Sequence, residues 1–385
     1  MTTKTTLEDV YKVFKKYLYL EDTNRIDIFL ATILSNQLEG TPIWMFFVGK
    51  SGDTKSEIIK SAINIKNVRV IDQITANTLA TGKKGAVDLG SQLTGKSTIL
   101  LFPDLASLTG LHKDEKKRIW SQFRTLYDGD IYKQAGSGIK EKAYTNCHVT
   151  VIAGTTNIIK NEYHINQQLG TRELMYYVSD DKTIDNLIME KSWDNEGYEK
   201  HMRAMLQEII SKFIEAHKIT KIEPTEEIKS FCKKEANRLK ILRATAQIDC
   251  RTYEPLNNVD SERPARLIKQ LKRIYIALKS LDDNYPDEKA KKIISHIIDS
   301  SGDETRDKLI KILKKENRMM KIPELQESLK ISRNKVMTEL NILYNLGLVK
   351  RIVENERIGG ITVNENGYEK IIGGKWENVY YFKWI

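Results

Sequence analysis

Cysteine is scarce: three thiols, Cys147, Cys232 and Cys250, are spread through 385 residues. They are too few and too scattered for a disulfide framework or a Cys-x-x-Cys metal site, so a reducing, cytoplasmic setting is expected. Long apolar runs are missing too. No stretch approaches the ~20 consecutive apolar residues that a bilayer-spanning helix needs. The opening MTTKTTLEDVYKVFKKYLYLED is charged and amphipathic and holds no apolar signal core. Neither a membrane anchor nor a secretion leader is expected. Internal repeats and low-complexity tracts are absent as well.

What the sequence does have is length and positive charge. Single hydrophobic cores rarely grow past roughly 250–300 residues, so two or three domains are expected. The formal net charge of +10 favours a polyanionic partner such as nucleic acid. Across residues 1–40, apolar positions recur at helical spacing (Val10, Val13, Phe14, Leu18; then Ile26, Ile28, Phe29, Ala31, Ile33, Leu34), which predicts two helices. Residues 41–184 change character. The apolar runs IWMFFVG, VRVID (68–72), STILLFPD (97–104) and HVTVIAG (148–154) read as buried parallel strands separated by helices and loops, a three-layer α/β domain. Residues 185–300 are helical in period. After the turn-rich DSSGDE, residues 303–385 read as two helices, a third that stops at Gly347, and a two-stranded ribbon. That is the pattern of a winged helix-turn-helix.

The run VGKSGDTKSE, Val48 to Glu57, follows the first strand and opens a helix, the context a phosphate-binding loop requires. In such a loop successive backbone N–H groups cradle the anion, a lysine reaches the outer phosphates, and a hydroxyl ligates Mg²⁺. Lys55 and Ser56 hold those last two places. Gly49, Lys50, Ser51, Gly52, Asp53 and Thr54 complete the cradle for ATP. Thr54 stands where the usual pattern has glycine, and its tolerance depends on whether the position needs φ > 0. Asp104, directly after the run TILLFP, is the expected carboxylate for Mg²⁺, or else the cap of the next helix.

GKSGDTKS resembles the Walker A loop of the minichromosome maintenance (MCM) helicases, AAA+ enzymes in which a small non-glycine residue precedes the lysine. From LYLEDTNRIDIFLATILSNQLEGTPIWMFFVG through LFPDLASLTG and VTVIAGTTN to LGTRELMYYV, about residues 15–180, the chain resembles the MCM-like ATPases of phages and integrative mobile elements. The resemblance implies an AAA+ core with a helical lid, ATP and Mg²⁺ as cofactors, and a homo-oligomeric ring of six. It implies a replicative DNA helicase or translocase acting on single-stranded DNA. A primase or initiator partner is open at this point. Thr156 takes the sensor position at a strand end, with Asn157 as the alternative. Arg172 resembles the arginine finger that enters the next subunit's nucleotide. Arg266 corresponds to the lid's second sensor arginine, with Arg263 and Arg273 as alternatives. One departure is plain: Leu105 follows Asp104 where most such enzymes carry a water-polarising glutamate. Glu57 is the preferred general base, ahead of Asp114 and Glu115. A replication initiator, a helicase loader or an ATP-switched DNA-binding regulator is the rival reading that Leu105 supports.

DNA contacts are expected in three places. A hairpin turning at Gly136-Ser137-Gly138 carries Lys133, Lys140 and Lys142, and its counterpart in MCM-like rings enters the central channel. The loop TGKKGAVDLGSQLTGKS offers Lys83, Lys84 and Lys96. In the third helix of the C-terminal unit, Arg333, Asn334 and Lys335 occupy the first turn.

Overall fold

The computed structural model describes residues 4–20, 22–75, 77–80, 88–135, 139–159, 171–178, 185–365 and 368–385. The chain divides into two compact units. One comprises Met1–Leu239 with Arg263–Ser301, and the other Lys240–Glu262 with Gly302–Ile385. The helical region after residue 185, expected as a domain of its own, is therefore shared between them.

The first unit is an α/β domain around the run ahead of Gly49. That run is strand β1 (Trp44–Val48), buried at all five positions. Four further strands join it: β2 (Val68–Val70), β3 (Ser97–Phe102), β6 (His148–Thr155) and β7 (Leu174–Tyr177). The order is β2-β3-β6-β1-β7 and every pairing is parallel. Alternate side chains of β1 serve opposite layers. On the Trp44 side, packing falls to α6 (Lys113–Tyr127), where Trp44 meets Phe123 and Tyr127 edge-on and Phe46 lies beside Trp120. Phe47 turns the other way, onto Phe29 of α2 (Asn24–Ser35), a helix buried at all twelve positions. Truncating one of these core aromatics would cost about 3–5 kcal/mol.

The amphipathic opening is α1 (Leu7–Tyr17), started by a capping box between Thr6 and Asp9. It is tied to α2 and to α11 (Asp287–Ser301) by a buried carboxylate. Asp27, fully buried, accepts from the hydroxyls of Tyr11 and Tyr285 and pairs with Lys289 at 2.6 Å. The C-terminal end of α11 then reaches the edge strand. Ser301 Oγ accepts the Met175 N–H at 2.8 Å and Ser300 Oγ accepts the Tyr177 N–H at 3.0 Å. Remaining elements of the unit are α3 (Lys55–Lys60), α4 (Leu89–Leu93), α5 (Ala106–Thr109), the hairpin β4 (Ile131–Ala135) with β5 (Ile139–Tyr144), α7 (Asp185–Asp194), α8 (Glu199–Ala216) and α10 (Ala265–Lys279). The helical period expected from residue 185 is interrupted between α7 and α8, where Gly197 adopts φ +79°.

The second unit takes in the last residues of α9 (Glu226–Leu242). It continues with α12 (Glu304–Glu316), β8 (Met320–Lys321), α13 (Ile322–Leu329), α14 (Arg333–Asn345), β9 (Val349–Glu365) and β10 (Tyr368–Trp384). Its sheet is three-stranded and antiparallel, in the order β8-β10-β9. At its centre Arg306, 3% exposed, pairs with buried Glu339 at 2.8 Å. Its Nη1 also donates to the carbonyls of Ile241, Leu242 and Ala244, satisfying acceptors that the end of α9 leaves open.

Candidate functional site

Because the strands are parallel, their C-terminal ends share one edge of the sheet. Register partners Val48↔Thr155 and Phe102↔Ala153 bring the ends of β1, β6 and β3 side by side, with β6 in the middle. That edge carries the loop from Gly49 to Ser56, then Thr156, then Asp104. The backbone is tight here: a Cβ at Gly154 would stand 2.6 Å from the Pro103 carbonyl oxygen, so β6 can approach the end of β3 only through a glycine.

The loop starts with the Gly49 N–H donating to the Thr155 carbonyl at 3.2 Å. Thr54 adopts φ 41° and ψ −5°, the left-handed region. The position does require φ > 0, and a β-branched residue pays of order 1–3 kcal/mol to occupy it. Two contacts hold it there. Arg25 Nη1 donates to Thr54 Oγ1 at 3.1 Å and to Asp53 Oδ1 at 3.2 Å. Lys55 is 6% exposed and its Nζ donates to the Lys50 carbonyl. Burial pushes the Lys55 pKa below its ordinary value, against the pull of the Asp53 and Asp104 carboxylates, with Arg25 adding to the depression.

Ser56 Oγ donates to the Pro103 carbonyl at 3.0 Å, which sets the hydroxyl beside the end of β3. Asp104 follows directly, and its Oδ1 accepts the Ala106 N–H at 2.8 Å, so it also caps the turn into α5. Leu105 is 2% exposed and belongs to the core. A hydroxyl and a carboxylate at one edge of the sheet, lining the same pocket as Lys55, suit a Mg²⁺ that keeps its other ligands from phosphate and water. Among the described residues no cluster of three or more His, Cys, Asp or Glu side chains forms a metal cage.

These groups line a pocket of about 380 Å³ that also includes Thr156 and, from the covering helices, Lys191, Asn195 and Arg203. Asn157 does not line it. Glu57 does, but its carboxylate faces a cation: Arg203 Nε and Nη2 donate to its two oxygens at 2.9 and 2.8 Å. Glu57, the expected general base, is thus held in a bidentate pair. The hydrogen bonds and charge of Glu57 in turn raise the Arg203 pKa. Neither Asp114 nor Glu115, on the first turn of α6, lines the pocket.

Arg172 precedes β7, and Leu174 pairs with Met45 near the start of β1. Two residues before Leu174, it lies level with position 43, at the opposite end of the sheet from Gly49 and roughly 20 Å away at about 3.3 Å per strand residue. Its guanidinium is 14% exposed, pairs with Asp128 at 3.0 Å and lies over the Tyr127 ring. Arg266 is half-buried near the same tyrosine, whose pKa burial pushes up and the Arg266 and Arg172 charges pull down. One turn on, Gln270 donates to the Tyr127 hydroxyl at 2.9 Å and to the Arg172 carbonyl at 2.8 Å. Arg266 thus sits with Arg172 beside Tyr127 and does not line the pocket. Arg263 is exposed, and Arg273 donates to the carbonyls of Leu38 and Glu39. Neither lines the pocket.

Of the expected DNA contacts, Lys83 and Lys84 lie outside the described residues, as do the side chains of Lys133, Lys140 and Lys142. Lys133 and Lys142 are register partners across the β4–β5 hairpin. Lys96 is exposed before β3. Arg333 and Asn334 are exposed on the first turn of α14. Lys335, also expected to meet DNA, has its ammonium paired with Asp303 at 3.1 Å and Glu339 at 2.7 Å. Arg25 and Arg203 are the site residues that sequence reasoning missed. Both stand in ordinary helical text, with no motif around them.

No protein-family description matches the chain, and no curated protein matches it. Among the described residues no helix is long and apolar enough to cross a membrane.

Proposed function

We propose that this chain is an AAA+ ATPase that drives a DNA helicase or translocase of MCM-like type, working as a ring with ATP between subunits. The observation that carries the reading is the meeting of Lys55, Ser56, Asp104 and Thr156 at one sheet edge, with β6 interposed between the strands that bear the loop and the carboxylate. ATP with Mg²⁺ would supply the phosphoanhydride whose hydrolysis powers movement. Lys55 and the loop N–H groups bind and orient the phosphates. Ser56 and Asp104 hold the metal side, and Thr156 orients water or the outer phosphate. Arg172 lies too far from its own loop to serve it, which supports action on a neighbouring subunit's nucleotide, with Arg266 beside it. The β4–β5 hairpin is the proposed DNA contact. The helices and antiparallel sheet of the C-terminal unit support a winged helix, with exposed Arg333 and Asn334 toward DNA.

A second reading, a slowly hydrolysing initiator, loader or ATP-switched DNA binder, is favoured by buried Leu105 and by the pairing of Glu57 with Arg203. ATPase rate with and without single-stranded DNA separates the two, for wild type and Lys55→Ala. The helicase reading expects DNA to raise turnover and the substitution to abolish it. A DNA-indifferent rate favours the second reading, and no ATP binding at all overturns both.

A further inference from the structure

We infer that Arg25 is a positioning residue for the phosphate-binding loop, and that Thr54 is tolerated in place of glycine because its hydroxyl is tethered. The inference rests on the nucleotide reading of this loop. Glycine adopts φ > 0 freely, and a β-branched residue does so only when its surroundings impose it. The surroundings here are specific. One guanidinium nitrogen, Nη1 of Arg25, donates to Thr54 Oγ1 and to Asp53 Oδ1, the two residues that make the bend. The other carboxylate oxygen of Asp53 lies against the start of the loop: a Cβ at Gly49 would stand 2.4 Å from it. The bend and the loop entrance are thus clasped through one carboxylate, and Gly49 is the residue that leaves room for it.

The anchor is rigid. Arg25 belongs to α2, buried at every position, and its side chain is 6% exposed against 11% for Asp53. Charge-assisted hydrogen bonds in such a water-poor setting are stronger and more directional than neutral ones at the surface. Arg25 thereby fixes the backbone that presents Lys55 and the cradle N–H groups before any phosphate arrives. It acts through the loop and has no part in the chemistry itself.

Affinity for ATP with Mg²⁺, measured on the full chain by titration with a fluorescent ATP derivative, tests this. Thr54→Val keeps the shape and removes only the hydroxyl, and should weaken binding about ten-fold or more. Arg25→Ala should weaken it further. Adding Thr54→Gly to Arg25→Ala should regain part of the loss, because glycine needs no tether, whereas a general loss of stability would not be repaired at residue 54. Melting temperatures of the same variants report folding separately. If wild type binds and Thr54→Val binds within about two-fold of it, the tether is overturned. If wild type shows no affinity for ATP, the nucleotide reading itself falls.

Discussion

Arg203 of α8 grips both carboxylate oxygens of Glu57, the residue directly after the loop serine, at 2.9 and 2.8 Å. The pair links the covering helices to the start of α3. It also bears on what Glu57 can do, since each of its oxygens already accepts from the guanidinium and only the remaining lone pairs are open to water.

If Glu57 is the base, Glu57→Gln should bind ATP with wild-type affinity and lose about 10²–10⁴-fold in turnover. Single-turnover hydrolysis measures this. A Glu57→Gln enzyme that turns over normally would exclude Glu57 as the base.

The depressed pKa of Lys55 has a consequence for pH. Phosphate binding needs the charged ammonium, so ATP affinity should fall as pH rises through the folded-state value, which lies below the ordinary 10.5. Stability of the nucleotide-free protein runs the other way. Between the folded-state value and 10.5 the unfolded chain holds the proton that the folded chain releases, so this group's contribution to stability rises with pH there. ATP titrations and thermal melts on the alkaline side, compared with Lys55→Met, should show opposite slopes that the substitution removes.

Arg172 and Lys55 stand at opposite ends of the sheet. Mixtures of Arg172→Ala and Lys55→Ala subunits should therefore recover part of the ATPase activity that each lacks alone, because an interface between the two kinds of subunit can be intact on both sides. No recovery at any mixing ratio would count against action between subunits.

In the C-terminal unit the two basic residues at the start of α14 should behave differently. Arg333→Ala should lower DNA affinity uniformly across sequences and reduce the salt slope by about one, with the melting temperature unchanged. Lys335→Ala should lower the melting temperature, because it removes the counter-charge of Asp303 and Glu339. Arg306→Met should cost more, about 3–5 kcal/mol, by leaving a buried carboxylate without its partner. Urea unfolding and filter binding on the same variants separate the two effects.

The sheet and one edge of the site were legible in the sequence because their signals are local. A strand buried on both faces is a continuous apolar run, and Gly49, Asp104 and Thr156 each directly follow or end one. What escaped was carried by long-range partners. Arg25 meets Thr54 across 29 positions and Arg203 meets Glu57 across 146, each from a helix whose period accounts for the residue without the contact. Lys335 read as a free basic residue because Asp303 and Glu339 lie on other turns and elements, and only packing brings them to it. Arg266 read as a lid arginine by position along the chain, while the placement of α10 beside Tyr127 depends on the three-dimensional arrangement of the sheet and its helices.

Ser300 and Ser301 give the β7 edge a further meaning. A strand at the margin of a sheet normally offers its amides to any passing extended chain, which is how unrelated copies stick together in stacks. Here two hydroxyls from the same polypeptide already occupy those amides, so growth of the sheet past that margin is blocked. Subunits that associate on this flank must do so through helices and side chains, where recognition is selective and reversible.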